Sequence, residues 1–218
     1  MVTEELTHRD RHAQRLPASL ALVICAVLYL VLPNRLAVGP KWILPVLIVL
    51  PLIPLSLRVH RHPDESPWVR RSTIGLVGLI NAANIVSMFL LVHLLLNANV
   101  VQGRNLVYSA VSVWVTNVIV FSLWFWEIDR GGPAVRGTHH TDFPDIQFPQ
   151  MENPHLAPPD WMPSYVDYLY TAFANGTSFA PADAMPLSSR MKMLFALESV
   201  VSLITIAVVA ARAVNILN

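Results

Sequence analysis

Pro163-Ser164-Tyr165-Val166-Asp167-Tyr168-Leu169-Tyr170-Thr171-Ala172-Phe173-Ala174-Asn175-Gly176-Thr177-Ser178-Phe179-Ala180-Pro181-Ala182-Asp183 is the stretch whose reading decides the fold of this chain. Ser164 followed three residues later by Asp167 is a helix start, an acidic variant of the capping box. Tyr165, Tyr168, Leu169, Ala172 and Phe173 then share helical spacings, and the helix is expected to run out near Asn175-Gly176. About eleven residues reach roughly 16 Å, half of a bilayer core, so this segment cannot span a membrane alone. It leads through a hydroxyl-bearing turn into a long apolar helix expected from Leu187 to Leu217, which carries one acid, Glu198. Two readings of the short helix stay open. It is either a re-entrant helix that ends at a mid-membrane turn, which the order of elements favours, or an amphipathic helix lying in the interface.

Outward from this stretch the chain is membrane-protein chemistry. Apolar residues make up 54% and charged residues 13%, about half the charged share of an average soluble domain. Charges are absent from Leu16 to Asn34, Trp42 to Leu57, Ser72 to Gly103, Asn105 to Trp126 and Ser199 to Ala211. A helix needs about 20 mainly apolar residues to cross the hydrocarbon. The first four stretches are therefore candidate spans, and the fifth joins them once Met193 to Leu197 are added. The second, broken by Pro45, Pro51 and Pro54, is the weakest. The expected fold is all-α, an integral membrane protein with five transmembrane helices and a short re-entrant pore-like helix before the last. Its expected divisions are a frayed polar tail at 1–15, a four-helix membrane region at 16–126, a polar loop at 127–160, and the short helix, turn and last span at 161–218. The first span is read as a retained anchor, because no small-x-small cleavage site follows it. Cys25 is alone in the chain, which excludes an intrachain disulfide. A net charge of +1 and the lack of a phosphate-cradling glycine loop argue against nucleic-acid and nucleotide partners.

The order of short aromatic helix, hydroxyl turn, Asp183-x-x-Pro186 and long helix distantly resembles the pore module of potassium channels over residues 164–217. Laid against that module, Tyr165, Tyr168 and Phe173 lie on the pore helix. Thr177, Ser178 and Phe179 fall at the filter, Asp183 at the pore mouth, and Glu198 where many bacterial inner helices carry a glutamate. Where the module has Gly-Tyr-Gly, this chain has Ala180, Pro181 and Ala182. Residues with a Cβ resist the backbone that a carbonyl ladder needs, and Pro181 has a fixed φ, so a potassium-selective ladder is not expected. Asp167-Tyr168-Leu169-Tyr170, Phe173, Gly176, Phe179, Asp183 and Ser189-Arg190 together resemble a bacterial inner-membrane family, ion-channel-like and catalogued as a domain of unknown function, over Asp167 to Asn215. That resemblance implies a fold and an address in the bacterial plasma membrane, and no activity.

Orientation follows from basic residues. With the N-terminus in the cytoplasm, Arg9, Arg11, Arg15, Arg58, Arg61, Arg70, Arg71, Arg130, Arg136, Arg190 and Lys192 lie inside, against Arg35, Lys41, Arg104 and Arg212 outside. The same count puts residues 127–190 inside, whereas in a potassium channel the corresponding loop is outside. Either the hairpin is inverted or one crossing is miscounted.

Several residues carry competing readings. Asp183 is a pore-mouth acid or a cap before the last helix. Glu198 is an intramembrane functional acid or an interfacial one balanced by Arg190 or Lys192. Asn81, Asn84, Ser87, His93 and Asn117 fit interhelical hydrogen bonding better than a hydrated path. Trp124 and Trp126 fit an interfacial belt. His139, His140, Asp142 and Asp145 have the chemistry of metal ligands but no helical frame, so a solvated loop is expected and no metal or cofactor is. Nothing frames a catalytic nucleophile, so no enzyme is expected. The functional expectation is a poorly selective cation channel or transporter, a homo-oligomer in the lipid bilayer and a tetramer if channel-like, passing monovalent cations. The alternative is a non-conducting relative that serves as an interaction or assembly protein.

Overall fold

The computed structural model describes residues 2–37, 39–50, 67–97, 103–133, 136, 143–158, 161–178, 180 and 183–217. Helix dominates: α1 (Val2–Val31), α2 (helical at 43–50), α3 (Pro67–Asn97), α4 (Gly103–Ile128), α5 (Pro149–Glu152), α6 (Tyr165–Ser178) and α7 (Ser189–Leu217). Two short strands, β1 (Ile146–Gln147) and β2 (Met185–Pro186), pair antiparallel, with Ile146 opposite Pro186 and Gln147 opposite Met185. Three helices are long and apolar enough to cross a membrane, over Arg70–Leu95, Leu106–Gly131 and Ser189–Ala211, and a shorter apolar helix covers Pro17–Val31. The fold is thus all-α, with three candidate spans among the described residues. The remainder of the second expected span, residues 51–57, lies outside the described residues.

Some boundaries differ from the expected ones. The expected frayed tail is helical from Val2 onward. The basic loop ends earlier than Arg71, because α3 starts at Pro67, a residue preorganised for a first helical position, where its missing N–H costs nothing. The short helix continues through Gly176 to Ser178. Its capping box forms as expected, with Ser164 N–H donating to Asp167 Oδ2 at 2.7 Å and the Ser164 hydroxyl to the same oxygen at 2.8 Å.

The contacts give the helices their directions. Along α6 from Tyr165 to Gly176 the partners on α4 run backward from Ser122 to Trp114, so the two are antiparallel. Asn175 of α6 meets Phe195 and Glu198 of α7, and α7 starts beside Asp145, which is anchored at the end of α4. Hence α6 and α7 run in the same direction, both opposed to α4. Arg130, Arg136 and Arg190 gather around Asp129 and Asp145, and a Cβ added at Gly132 would lie 3.5 Å from Arg70 Nε at the start of α3. This end of the bundle is the basic end.

Most of the core is apolar side chains between α4 and its neighbours. Phe125 and Phe195 stack with centroids 4.3 Å apart, Phe121 packs against Phe125, and Leu123, Ile80, Leu91 and Met191 are fully buried elsewhere in the core. Trp126 belongs to this core and is only 1% exposed, correcting its assignment to an interfacial belt. Edge-to-face contacts with Tyr165 and Tyr168, at 5.9 and 5.5 Å, and the Arg136 guanidinium over its ring replace the interface as its environment.

Candidate functional site at the tip of the hairpin

The segment from α6 to β2 leaves the basic end and returns to it. Its outward limb is α6, fourteen residues long and therefore about 21 Å. Its return is fixed by β2, which pairs with β1, and by the Leu187 N–H, which donates to the Asp145 carbonyl at 2.8 Å. The N–H groups of Asp145 and Ile146 donate in turn to Asp129 Oδ1, at 2.8 and 3.2 Å, beside the last turn of α4. A helical limb and a short return make a hairpin whose root is at the basic end and whose tip is at Asn175 to Ser178.

The tip lies deep in the bundle. Glu198 is nine residues into α7, about 14 Å from its start, and Asn117 is eleven residues into the Leu106–Gly131 segment, about 17 Å along it. Both positions are near the middle of segments that run about 34 to 39 Å. Asn175 Nδ2 donates to Glu198 Oε2 at 2.8 Å and to the Phe195 carbonyl at 3.0 Å, and the Ser199 hydroxyl donates to Asn175 Oδ1 at 3.2 Å. From α4, Asn117 Nδ2 donates to Ser202 Oγ at 3.0 Å and to the Glu198 carbonyl at 3.3 Å. Trp114 Nε1 closes the cluster by donating to the Gly176 carbonyl at 3.3 Å.

Gly176 makes this approach possible. A Cβ there would lie 3.1 Å from Ser202 Oγ, 3.3 Å from Val118 Cγ2 and 3.7 Å from Glu198 Oε1. The glycine therefore serves close packing rather than ending the helix. Thr177 carries the helix past it, its hydroxyl donating back to the Phe173 carbonyl at 2.8 Å.

Glu198 and Asn117 are both fully buried, yet among the described residues nothing donates to Glu198 Oε1 or Asn117 Oδ1. The carboxyl meets only the Asn175 amide and no positive side chain among the described residues. The C-terminal end of α6 adds its partial negative charge nearby. The site thus combines a carboxyl without a positive partner among the described residues, neutral amide and indole donors, and two hydroxyls in the bundle interior.

The root of the hairpin contrasts with the tip. Asp129, fully buried, receives the Tyr168 hydroxyl on Oδ2 at 2.6 Å, and Arg136 Nε lies 3.8 Å from the same oxygen. Arg136 also sits over the rings of Trp126 and Tyr168, 4.5 and 4.8 Å from their centroids. Arg190 grips Asp145 with two hydrogen bonds, Nε to Oδ1 at 3.0 Å and Nη2 to Oδ2 at 2.6 Å. Burial pushes the Asp145 carboxyl up. The bonds and charge of Arg190, helped by the Ser188 hydroxyl and the Arg130 N–H, outweigh that and hold it below the usual carboxylate range.

These contacts relocate several expected roles. Glu198 is buried in the bundle and is not balanced by Arg190, which belongs to Asp145. Asp145, expected in a solvated loop, is instead a buried ion-pair partner of Arg190, and no group of three potential metal ligands exists among the described residues. His139, His140 and Asp142 lie outside them, as do Phe179, Pro181 and Ala182. Thr177 and Ser178 are exposed at the end of α6, Asp183 is exposed, and Ser188 rather than Asp183 caps α7, its hydroxyl accepting the Met191 N–H at 3.3 Å. Tyr165 is buried, its hydroxyl 2.7 Å from Ser122 Oγ, and Phe173 rests edge-on against Trp114 at 5.9 Å. Ser87 bonds the Leu36 carbonyl at 2.8 Å, the interhelical role expected of it. The sequence reading missed Asn175, Ser202, Asp129 and Arg136. Glu198, Ser202 and Thr205 do fall on one helical face of an otherwise apolar segment, which was the available signal.

No family model, curated protein or solved structure matches the chain.

Proposed function

We propose that this chain is a multi-pass membrane protein of channel-like build, in which the α6 hairpin re-enters the membrane from the basic end and helps a small monovalent cation across. The carrying observation is the hairpin itself. A half-length helix ends beside Glu198 and Asn117, and its return strand is tied back at the end where it began. Irregular backbone at membrane depth is tolerated where protein buries it or where it lines a cavity, and such breaks mark ion paths. A helix C-terminus and an uncompensated carboxyl at one place both favour positive charge.

In this reading α1 and α2 complete five spans, and the basic end faces the cytoplasm by the positive-inside rule, so the hairpin is inverted relative to a potassium channel. Val166, Tyr170 and Phe173 project from the exposed face of α6, with Thr177 and Ser178 at its inner end. Copies arranged around an axis, four in a channel-like assembly, bring those hydroxyls together. Thr177 and Ser178 are helical, so the path is hydroxyl-lined and poorly selective rather than a carbonyl ladder.

A second reading, a non-conducting assembly protein, draws on the Thr177 hydroxyl being satisfied by its own helix and on the closed packing at Gly176. Purified protein in liposomes separates the two. Flux of sodium and potassium at comparable rates, reduced in Thr177→Ala, is the expected result. Stable oligomers that pass no ion at any applied voltage would establish the second reading instead.

A further inference from the structure

We infer that Glu198 is a proton-exchange site, and that the proton is the positive charge the hairpin tip is built to hold; this rests on the cation-path reading above. The carboxyl is fully buried, and among the described residues Oε1 has no donor and Oε2 is bonded by the neutral Asn175 amide alone. An unpaired charge in such a place is costly, and one positive charge on Oε1 removes the cost. The packing selects which charge. A single methyl at Gly176 would already press on Ser202 Oγ at 3.1 Å and Val118 Cγ2 at 3.3 Å. On the Gly176 side of the carboxyl there is no room for a metal ion with its coordination shell, whereas a proton needs none.

The surroundings keep other titrating groups away. Asn175 donates to the carboxyl from α6, Asn117 donates from α4 to the Glu198 backbone carbonyl and to Ser202 Oγ, and none of these three side chains titrates. Among the side chains described on the packed helices, the ionisable groups other than Glu198 lie toward the helix ends: Arg70, Arg71 and His93 on α3, Tyr108 and Glu127 on α4, Tyr165, Asp167, Tyr168 and Tyr170 on α6, and Arg190 and Lys192 on α7. The step is simple. An O–H bond forms at Oε1 with a proton from water and breaks by returning it to water, the carboxyl alternating between acid and carboxylate.

Infrared difference spectroscopy of the full-length protein in lipid tests this. Wild type minus Glu198→Gln is expected to show a carboxylic-acid carbonyl stretch of one group per chain. It should convert reversibly to a carboxylate stretch as pH changes and stay unmoved when sodium, potassium or choline are exchanged. Labelling glutamate with carbon-13 in the wild type assigns the same band without the variant. A carboxylate at every pH at which the protein stays folded would overturn the inference, and so would a band that follows sodium or potassium at fixed pH. Liposomes that pass no ion but keep the band would sink the permeation reading alone, whereas intact flux without the band would sink this inference alone.

Discussion

Asp129 and Glu198 are both fully buried acids that hold the same hairpin, one at its root and one at its tip. The root acid is saturated. It accepts two backbone N–H groups and the Tyr168 hydroxyl, with the Arg136 guanidinium alongside. Among the described residues the tip acid has one amide donor, on Oε2, and none on Oε1. A saturated buried charge is an architectural device, since its desolvation is offset by partners that cannot leave without unfolding the neighbourhood. An unsaturated one does not repay its own burial and marks the place where the chain trades stability for chemistry. The hairpin is thus fastened at one end and left electrostatically incomplete at the other.

The largest expected effect is at the root. Asp129→Ala strands Arg136 and three donors, and the loss is expected to be about 3 to 5 kcal/mol, read as thermal unfolding in detergent. A loss under about 1 kcal/mol would erase the contrast between the two acids. Next is Gly176→Ala, where overpacking against Ser202 and Val118 is expected to cost about 1 to 3 kcal/mol. Adding Ser202→Gly should recover part of that, and a recovery of nothing would mean that the close contact at the tip is not the strained one.

Arg190→Gln removes a pair whose arginine side chain is 61% exposed, so solvent screening limits the effect to about 1 kcal/mol or less. Its signature is the pH profile. Because the folded Asp145 carboxyl is held below its ordinary value, its contribution is present above the unfolded value of about 3.9 and is lost as pH falls through the lower folded value. Without Arg190 that acid-side loss should begin at higher pH, as followed by unfolding midpoints between neutral and acid conditions. The smallest effect belongs to Glu198→Gln, which keeps an acceptor for Asn175 and removes the buried charge. A change of about 1 kcal/mol or less is expected, and a loss as large as that of Asp129→Ala would make the tip as structural as the root.

Much of the hairpin was legible in the sequence. Ser164 and Asp167 announce a helix start through local spacing, and the apolar run after Ser189 announces a span through length. Asn175-Gly176 misled, because the same dipeptide that ends an isolated helix is also what allows close approach to another helix. The root was not legible. Asp129, Arg136 and Asp145 lie in a stretch without periodicity, and only tertiary contact pairs Asp145 with Arg190, 45 positions away. Carboxylate partners at such separations leave no trace in spacing, which is why a loop tied down by Asp129 read as a solvated one.

Depth of the hairpin is the most direct test of the account. In a Cys25→Ser background, spin labels at Val166 and Ser178, both exposed within the chain, can be compared by power saturation with oxygen and with a water-soluble relaxant in lipid bilayers. The predicted result is a depth difference of about 18 Å along the membrane normal for twelve helical residues, with Ser178 near the bilayer centre and Val166 near the interface of the basic end. Equal depth and free aqueous access at both positions would contradict it, and would leave α6 as a helix lying on the membrane surface.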